Sequence, residues 1–388
     1  RQEAVLGWSA GEFDTNDMPD GLRWWLNAAD EALSAQADYA RQYIPTEVDP
    51  SLPAAVTPML TSVWGQSAPF NLQCPMGYPS GCVATAMAQI MYYHKYPEHG
   101  VGSDFITDMG FVDWEGTTYD YATMLPDYRS GYTTAQGDAV ATLMKHCGAA
   151  VNMNYAAEGS GAYDIDAAAA FCDRFSYNKN LACRRRDYHT NADWMAMVYG
   201  ELAAERPILY GAQDAYGSGG HAFVLDGYRA DGFVSVNWGW DGEGNGYYDI
   251  ELLNPSMIGS SFEYSVGQDM ITGIGLPDEA IEHRSELVCA GSLEASYASG
   301  ILTVNLSELV FYNMNIYPFN GNLYIKLTGD RGDNTLETIS FASQHIDKID
   351  TSVPKPGFQG VGFNGDYTAQ LPSDLPNGTY TLYLAVNL

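Results

Sequence analysis

Cys82 is the residue of this 388-residue chain whose type and setting point most directly to chemistry. It follows Gly81 and opens the run CVATAMAQIMYYH, whose Ala, Met and Gln residues favour a helix that stops before Pro97. A thiol at the start of a helix faces unpaired backbone N–H groups and the positive end of the helix dipole, and both stabilise a thiolate. The pattern therefore predicts a reactive cysteine, with a buried structural cysteine as the simpler alternative.

A nucleophilic thiolate needs a base, and His221 has the most suitable setting among the seven histidines. It follows the glycine-rich run GSGG and begins a strand-like segment, so that an unhindered loop presents it. It lies 139 residues after Cys82, within the separation of roughly 130–150 residues typical of papain-like enzymes. The other histidines lie in polar or helix-end contexts that are typical of surface or structural roles.

Two strand-like segments position this histidine, namely HAFVLDGYR and GFVSVNWGW, which the turn Ala230-Asp231-Gly232 joins into a predicted hairpin. Reflection about that turn places His221 opposite the region of Trp238 to Trp240. The Asn237 amide or an indole there is expected to fix the imidazole and shield an ion pair from water.

A third element of the chemistry is Gln66 in the segment VWGQSAPFN, sixteen residues before Cys82. Its side-chain N–H and the Cys82 backbone N–H together form a candidate oxyanion hole. These three segments predict acyl transfer through a thiolate, an imidazole and a pair of oxyanion donors.

Four segments carry a family resemblance: WGQSAPFN, SGCVATAMAQIMYYHKYP, GGHAFVLDGY and VNWGWDGEGNGYYDIELLNP. In this order and spacing they resemble the signature segments of the streptopain family of bacterial papain-clan cysteine peptidases. The resemblance covers about Thr57 to Pro277. It implies an α+β, papain-like, two-lobed fold with a helical lobe and an antiparallel β lobe, made as a zymogen and exported. Cofactors and metals are not part of the expected machinery.

The resemblance also implies residue roles. Cys82 is then the nucleophile, His221 the general base and acid, and Gln66 the oxyanion donor. Trp238 corresponds to the residue after the orienting asparagine of papain-like enzymes, and Asn237 is the amide available here; which of Asn237, Trp238 and Trp240 orients the ring stays open. The segments NYAAEGSGAYD and GSGGH resemble the substrate-lining loops of the family, which nominates Ser160 and Gly220.

The rest of the chain indicates a modular organisation: residues 1–55 as the end of an inhibitory pro-segment with its activation linker, 56–278 as the catalytic domain, and 285–388 as an all-β, Ig-like sandwich. The first segment resembles the tail of the family's pro-segment and contains a helical pattern over residues 20–43. The linker contains Pro45, Pro50, Pro53 and Pro58, and activation is predicted between Glu47 and Thr57. Short strands separated by Gly, Asn and Pro indicate the sandwich.

Composition narrows the range of partners. A formal charge of −30 argues against binding to nucleic acid or an anionic membrane surface, and the chain has no apolar run long enough to span a bilayer. Its six cysteines are scattered without a CxxC pair, which argues against a zinc site.

The function predicted from the sequence is a secreted or extracellular cysteine endopeptidase, with the cell surface or the periplasm of a bacterium as further locations. Its partners would be protein or peptide substrates and its own pro-segment as an intramolecular inhibitor. Two alternatives stay open at this point: an inactive relative that binds a host protein or glycan, and a papain-clan acyl transferase.

Overall fold

The structure is a computed structural model of the chain, and it describes most but not all residues. The described residues are 7–8, 46–213, 220–250, 268–281, 286–313, 315–328, 335–348, 359–371 and 380–387. The helix predicted over residues 20–43 lies outside them. The chain divides into two compact units, Arg1–His283 and Arg284–Leu388.

Four α-helices of the first unit are described, and they are, in chain order, α1 Cys82–His94, α2 Thr134–Ala150, α3 Asp164–Asp173 and α4 Asn191–Ala203. The first has the bounds that its sequence predicts. The second begins at Thr134, because Thr133 and Gln136 form a reciprocal capping box at its start. The fourth is capped by Thr190, whose hydroxyl accepts from the Asp193 backbone N–H.

Nine strands belong to the same unit: β1 Gly7–Trp8, β2 Ser103–Ile106, β3 Gly110–Asp113, β4 Ala182–Arg185, β5 Ile208–Gln213, β6 Gly220–Tyr228, β7 Val234–Asn237, β8 Gly246–Tyr248 and β9 Asp269–Thr272. Seven of them form one antiparallel sheet in the order β1-β8-β7-β6-β5-β9-β4. The other two, β2 and β3, form a separate hairpin.

Helix α1 is buried on nearly every side, as its run of small and apolar residues predicts. The side chains from Val83 to Tyr92 are all buried, and the helix packs against α2 and β6. A helix with apolar side chains on every side is stable in water only where other elements cover all of its faces. It therefore forms a rigid central element between the helices and the sheet, with its first residue facing β6.

The segment from Thr46 to Met59 is ordered on the surface of the sheet. Val56 exchanges two backbone hydrogen bonds with Tyr228, and the Tyr228 hydroxyl donates to the Pro53 carbonyl at 2.7 Å. Val48, Leu52, Val56 and Met59 pack against the core beneath the sheet. The proline-rich segment is thus exposed at Pro50, Pro53 and Pro58, as its composition predicts, while its apolar side chains pack against the core.

The second unit is a β-sandwich of two three-stranded antiparallel sheets. Its strands are β10 Leu287–Ala298, β11 Ile301–Asn313, β12 Phe319–Thr328, β13 Thr335–Ile346, β14 Gln359–Gln370 and β15 Thr381–Asn387. One sheet has the order β10-β11-β14 and the other β13-β12-β15. Alternate side chains of β11, such as Leu302 and Val304, face a core shared with Phe319 and Leu323 of β12.

Together the two units give the α+β, papain-like arrangement followed by an all-β sandwich that the sequence predicts. No helix among the described residues is long and apolar enough to cross a membrane.

Candidate active site

The Cys82 sulfur is held at the N-terminus of α1 by a turn that only glycine fits well. Gly81 is the residue before the helix and has φ 88° and ψ 144°, a conformation that side chains disfavour. A methyl group at Gly81 would also overlap the Met153 side chain and approach the Ser160 carbonyl. Thr85 ties the turn down by donating to the Gly81 carbonyl at 2.9 Å. The glycine therefore allows the chain to turn directly before the cysteine, which is half-buried at the helix start.

His221 lies near the start of β6, and a backbone carbonyl fixes its ring. Its Nε2 lies 2.8 Å from the carbonyl oxygen of Trp238. Because a carbonyl only accepts, Nε2 carries the proton and Nδ1 is the basic nitrogen. The ring also stacks on Trp240, with centroids 4.4 Å apart and planes inclined by 25°. One face and one edge of the imidazole are thus fixed by the β7–β8 connection.

The pairing of β6 and β7 explains why these residues meet. Val224 lies opposite Asn237, and continuing this register places His221 opposite Trp240, as the reflection about the turn predicts. A bulge between Leu225 and Gly227 then changes the register toward the turn. The bulge leaves room for the Val56–Pro58 backbone, which a side chain at Gly227 would strike.

Helix α1, which begins at Cys82, packs against β6, which contains His221. The backbone amide of Ala222, the residue after His221, lowers the pKa of Cys82. The backbone N–H groups of Cys82 and Val83 act on the sulfur in the same sense and favour the thiolate. The structure therefore brings the thiol at the tip of α1 to the strand that carries the imidazole.

Burial has the largest influence on the pKa values of both Cys82 and His221. It raises the pKa of Cys82 to about 11, and the nearby Asp164 adds to the rise while the Ala222, Val83 and Cys82 amides oppose it. It lowers the pKa of His221 to about 4, against the effect of the Trp238 carbonyl, which favours the protonated ring. Burial makes it costly to ionise the Cys82 thiol or to protonate the His221 ring alone. When both are charged, the attraction between the thiolate and the imidazolium offsets part of that cost.

The Asn237 side chain has a different set of partners from the one expected. Its amide nitrogen donates to the Ser62 carbonyl at 2.8 Å, and its oxygen accepts from Gln89 and from the Gly239 backbone, each at 3.2 Å. These bonds fix the turn that follows β7. Asn237 thus places the Trp238 carbonyl, and that carbonyl, rather than the Asn237 amide, contacts the imidazole.

Gln66 lies beside the turn that precedes Cys82. Its backbone carbonyl accepts from the Ser80 N–H at 3.0 Å, two residues before the cysteine. The Thr85 hydroxyl, which holds the Gly81 turn, also lies 3.5 Å from the carbonyl of Gly65. The backbone of the segment containing Gln66 is therefore bonded to the Cys82 turn, and the role of the Gln66 side chain stays a prediction.

The two predicted substrate-lining residues lie close in sequence or space to the residues that precede Cys82 and His221. The Ser160 carbonyl is next to Gly81, and its buried hydroxyl accepts from the Ala156 N–H at 3.4 Å. Gly220 is exposed, pairs with Gln213 and directly precedes His221. Their part in substrate binding stays a prediction.

Three features of the site have no signal in the sequence: the Trp238 carbonyl, the Ala222 amide and a carboxyl group, Asp164, near the sulfur. The first two are main-chain groups, which nearly every residue has, so the residue types do not predict them. Asp164 looks like an ordinary first-turn acid of α3.

A central helix that presents a thiol to a histidine on an antiparallel sheet defines the class: this is a papain-like cysteine peptidase. Comparison with known proteins gives the family. The model of the Peptidase C10 family matches residues 64–248. A relative of solved structure, a prointerpain A fragment of Prevotella intermedia, is 39% identical with a TM-score of 0.62, over 70% of this chain and 88% of that one. The chain belongs to the peptidase C10 family.

Further relatives agree. The active wild-type interpain A cysteine protease of Prevotella intermedia is 42% identical with a TM-score of 0.54, over 59% of this chain and 99% of that one. The thiol protease/hemagglutinin PrtT of Porphyromonas gingivalis is 36% identical over 70% of this chain, which spans only 34% of PrtT. Streptopain of Streptococcus pyogenes is 29% identical over 67% of this chain and 71% of its own length.

Proposed function

We propose that the chain is a secreted cysteine endopeptidase, made as a self-inhibited zymogen, in which Cys82 is the nucleophile and His221 the general base and acid. The observation that carries the proposal is the packing of α1 against β6, because Cys82 is the first residue of α1 and His221 lies near the start of β6. The single proton of the imidazole, held on Nε2 by the Trp238 carbonyl, leaves Nδ1 to receive the thiol proton.

The reaction follows from this arrangement. Nδ1 of His221 takes the thiol proton as the sulfur attacks the carbonyl carbon of a peptide, and the carbonyl π pair moves onto oxygen. Collapse of the tetrahedral intermediate breaks the C–N bond, and the imidazolium gives its proton to the leaving amine. Water, deprotonated by the same imidazole, then attacks the acyl-thioester and releases the acid and the thiol. Proton transfer by the base contributes about 10²–10⁴-fold.

Two donors support the oxyanion in this proposal: the Cys82 backbone N–H and the Gln66 side-chain amide. Gln66→Ala is expected to lower kcat about 10²–10³-fold with little change in KM, because the oxyanion exists only in the transition state. Steady-state kinetics on a fluorogenic peptide measure this.

The matched control for this substitution is Gln73→Ala, which removes an amide that bonds to Thr142 of α2 instead. Equal losses of kcat in the two variants, or a Gln66→Ala effect confined to KM, would remove Gln66 from the oxyanion hole.

The zymogen part of the proposal rests on the N-terminal segment. Gly7 and Trp8 form an antiparallel strand with Tyr247 and Tyr248, at the edge of the sheet that carries His221. Residues 7–8 thus pair with β8, the strand that follows the connection that orients the imidazole. The activating cut is proposed between Glu47 and Thr57, where Asp49–Ser51 and Pro53–Ala55 are exposed.

Selective alkylation tests the assignment of the nucleophile. The structure describes six free cysteines, of which Cys74, Cys147, Cys172 and Cys183 are buried, Cys289 is exposed and Cys82 lies in the cleft. Iodoacetamide at pH 7 is expected to label Cys82 at least tenfold faster than Cys289, with loss of casein hydrolysis in step with labelling at Cys82. Peptide mapping by mass spectrometry measures both. Activity that survives complete modification of Cys82 would refute the proposal.

A further inference from the structure

Helix α1 carries a fully buried amide, Gln89, on the same helix as Cys82. The Gln89 Oε1 accepts from the Ser62 hydroxyl at 3.0 Å and from the Trp64 backbone N–H at 3.3 Å. Its Nε2 donates to Oδ1 of Asn237 at 3.2 Å. A buried amide costs free energy unless its polar atoms are hydrogen-bonded, and here both ends of the amide are. One side chain of α1 thus joins two other parts of the chain.

Three of these residues form a closed ring of hydrogen bonds. Ser62 donates through its hydroxyl to Gln89, Gln89 donates to Asn237, and the Asn237 amide donates back to the Ser62 carbonyl at 2.8 Å. All three residues are buried. The Asn237 oxygen also accepts from the Gly239 N–H, so a rotated Asn237 amide would turn its NH₂ group toward two donors. The ring therefore requires a donor at Nε2 of Gln89.

One side of the ring leads to the imidazole. Asn237 is the last residue of β7, and the next residue, Trp238, presents its carbonyl oxygen to Nε2 of His221 at 2.8 Å. The bond from Gln89 to Asn237 ties this turn to the helix that carries Cys82. Gln89 thus connects the helix of the thiol with the carbonyl that holds the imidazole.

The other side of the ring leads to the segment of Gln66. Trp64, whose backbone N–H bonds to Gln89, lies two residues before Gln66. The Trp64 carbonyl in turn accepts from the Asp241 N–H at 3.2 Å, and Asp241 follows Trp240, whose ring stacks on the imidazole. The same glutamine is therefore bonded to the segment of the proposed oxyanion donor and, through Trp64, to the residue after the stacking indole.

We propose that Gln89 is a positioning residue for both partners of the thiol. Its side chain fixes the turn whose Trp238 carbonyl orients His221, and it fixes the segment that carries Gln66. This rests on the proposed function, in which Cys82 is the nucleophile. Because small displacements of reacting groups cost large factors in rate, loss of the Gln89 donor lowers kcat. Gln89 is buried beneath the site and touches no substrate, so KM changes little.

Gln89→Glu separates the donor from the acceptor. A protonated glutamic acid has the shape of glutamine: its hydroxyl can donate to Asn237 while its carbonyl oxygen accepts from Ser62 and Trp64. The ionised form only accepts, so it faces the Asn237 oxygen without a proton. Burial opposes this ionisation and the two donors favour it, so the charge is expected to form within the range of about pH 5–9.

The measurement is kcat on a fluorogenic peptide, per active site titrated with a thiol probe, and expressed as the ratio of Gln89→Glu to the wild type. The ratio is expected to lie within about threefold of one at pH 5 and to fall about 10–10²-fold by pH 9, with KM within about threefold of the wild type. Gln89→Met removes both donor and acceptor, so its kcat is expected to be about 10–10²-fold lower at every pH.

Gln268→Glu is the matched control. Gln268 is as fully buried as Gln89, and its Oε1 accepts from the Tyr210 hydroxyl at 3.2 Å, outside the ring. The substitution therefore also buries a carboxyl group in the catalytic unit, but its ratio to the wild type is expected to stay constant between pH 5 and pH 9. Urea unfolding of each variant at both pH values shows whether the protein is folded under the assay conditions.

The outcomes separate this inference from the proposed function. It is overturned if Gln89→Met keeps kcat within about threefold of the wild type, or if the Gln89→Glu ratio is the same at pH 5 and pH 9. It is also overturned if Gln268→Glu shows the same pH dependence, or if only the titrated fraction falls while kcat per site is unchanged. If the wild type hydrolyses no peptide and Cys82 shows no fast alkylation, the proposed function itself fails. Gln89→Glu is compared with itself at two pH values, so the test stands even if Gln89→Met does not fold.

Discussion

Cys82→Ala is expected to abolish peptide hydrolysis, with kcat/KM falling about 10⁶-fold, because the substitution removes the atom that forms the acyl-enzyme. The loss should not come from unfolding. Cys82 is the first residue of α1, its side chain is only partly buried, and alanine is the best helix former at that position. The free energy of unfolding in urea is therefore expected to change by less than about 1 kcal/mol.

The same variant also tests self-activation. It should keep its N-terminal segment during purification, and added wild-type enzyme should remove that segment by a cut between Glu47 and Thr57. N-terminal sequencing locates the cut. A mature N-terminus within residues 20–43 would contradict this prediction.

Cys289→Ala is the matched control, since it removes an exposed thiol in the second unit and is expected to keep full activity. Hydrolysis and self-processing by Cys82→Ala within tenfold of the wild-type rates would end the assignment of the nucleophile.

The parts of the site that the sequence predicts are those with a local pattern. The helical run after Gly81 defines α1 from Cys82 to His94, because its small and apolar residues allow burial on all sides and the chain turns before Pro97. The turn at Ala230 to Gly232 fixes the pairing of Val224 with Asn237. Both the thiol and the histidine therefore follow from short stretches of chain.

Other parts of the site depend on atoms or distances that no local pattern encodes. The sequence directs attention to side chains near His221, so Asn237 looks like the orienting amide. In the fold that amide is used by Ser62 and Gln89, and the Trp238 carbonyl turns toward the ring. A main-chain carbonyl is present at every position, and only the path of the turn decides which one is used.

The proline-rich segment shows the limit of composition as a guide. Its prolines exclude a helix and remove several N–H donors, which is typical of a linker. Its apolar residues Val48, Leu52, Val56 and Met59 are spaced by three or four positions, and the fold uses them to cover the sheet. The sequence also does not predict that the backbone of this segment packs on Gly227, next to the bulge in β6, because the segment and the strand lie far apart along the chain.

The second large effect is expected for His221→Ala, and its signature is the pH dependence. Burial raises the pKa of Cys82 to about 11, so without the imidazole the thiol is almost entirely protonated near neutral pH. At pH 7 kcat/KM should fall about 10⁴-fold, the upper end of what a general base contributes. The residual rate should then rise about tenfold per pH unit toward pH 10, because hydroxide takes over as the base.

The wild-type profile should lack that steep alkaline rise, since the imidazole accepts the proton directly. His99→Gln is the matched control: its ring lies near Thr117, away from the cleft, and its loss should leave the profile unchanged. The decisive quantity is the slope of the logarithm of the residual rate against pH. A flat profile in His221→Ala at a rate near that of the wild type would show that the thiolate forms without this histidine. A large loss with no alkaline recovery would contradict this prediction and would show that loss of the general acid, which hydroxide cannot replace, limits the variant.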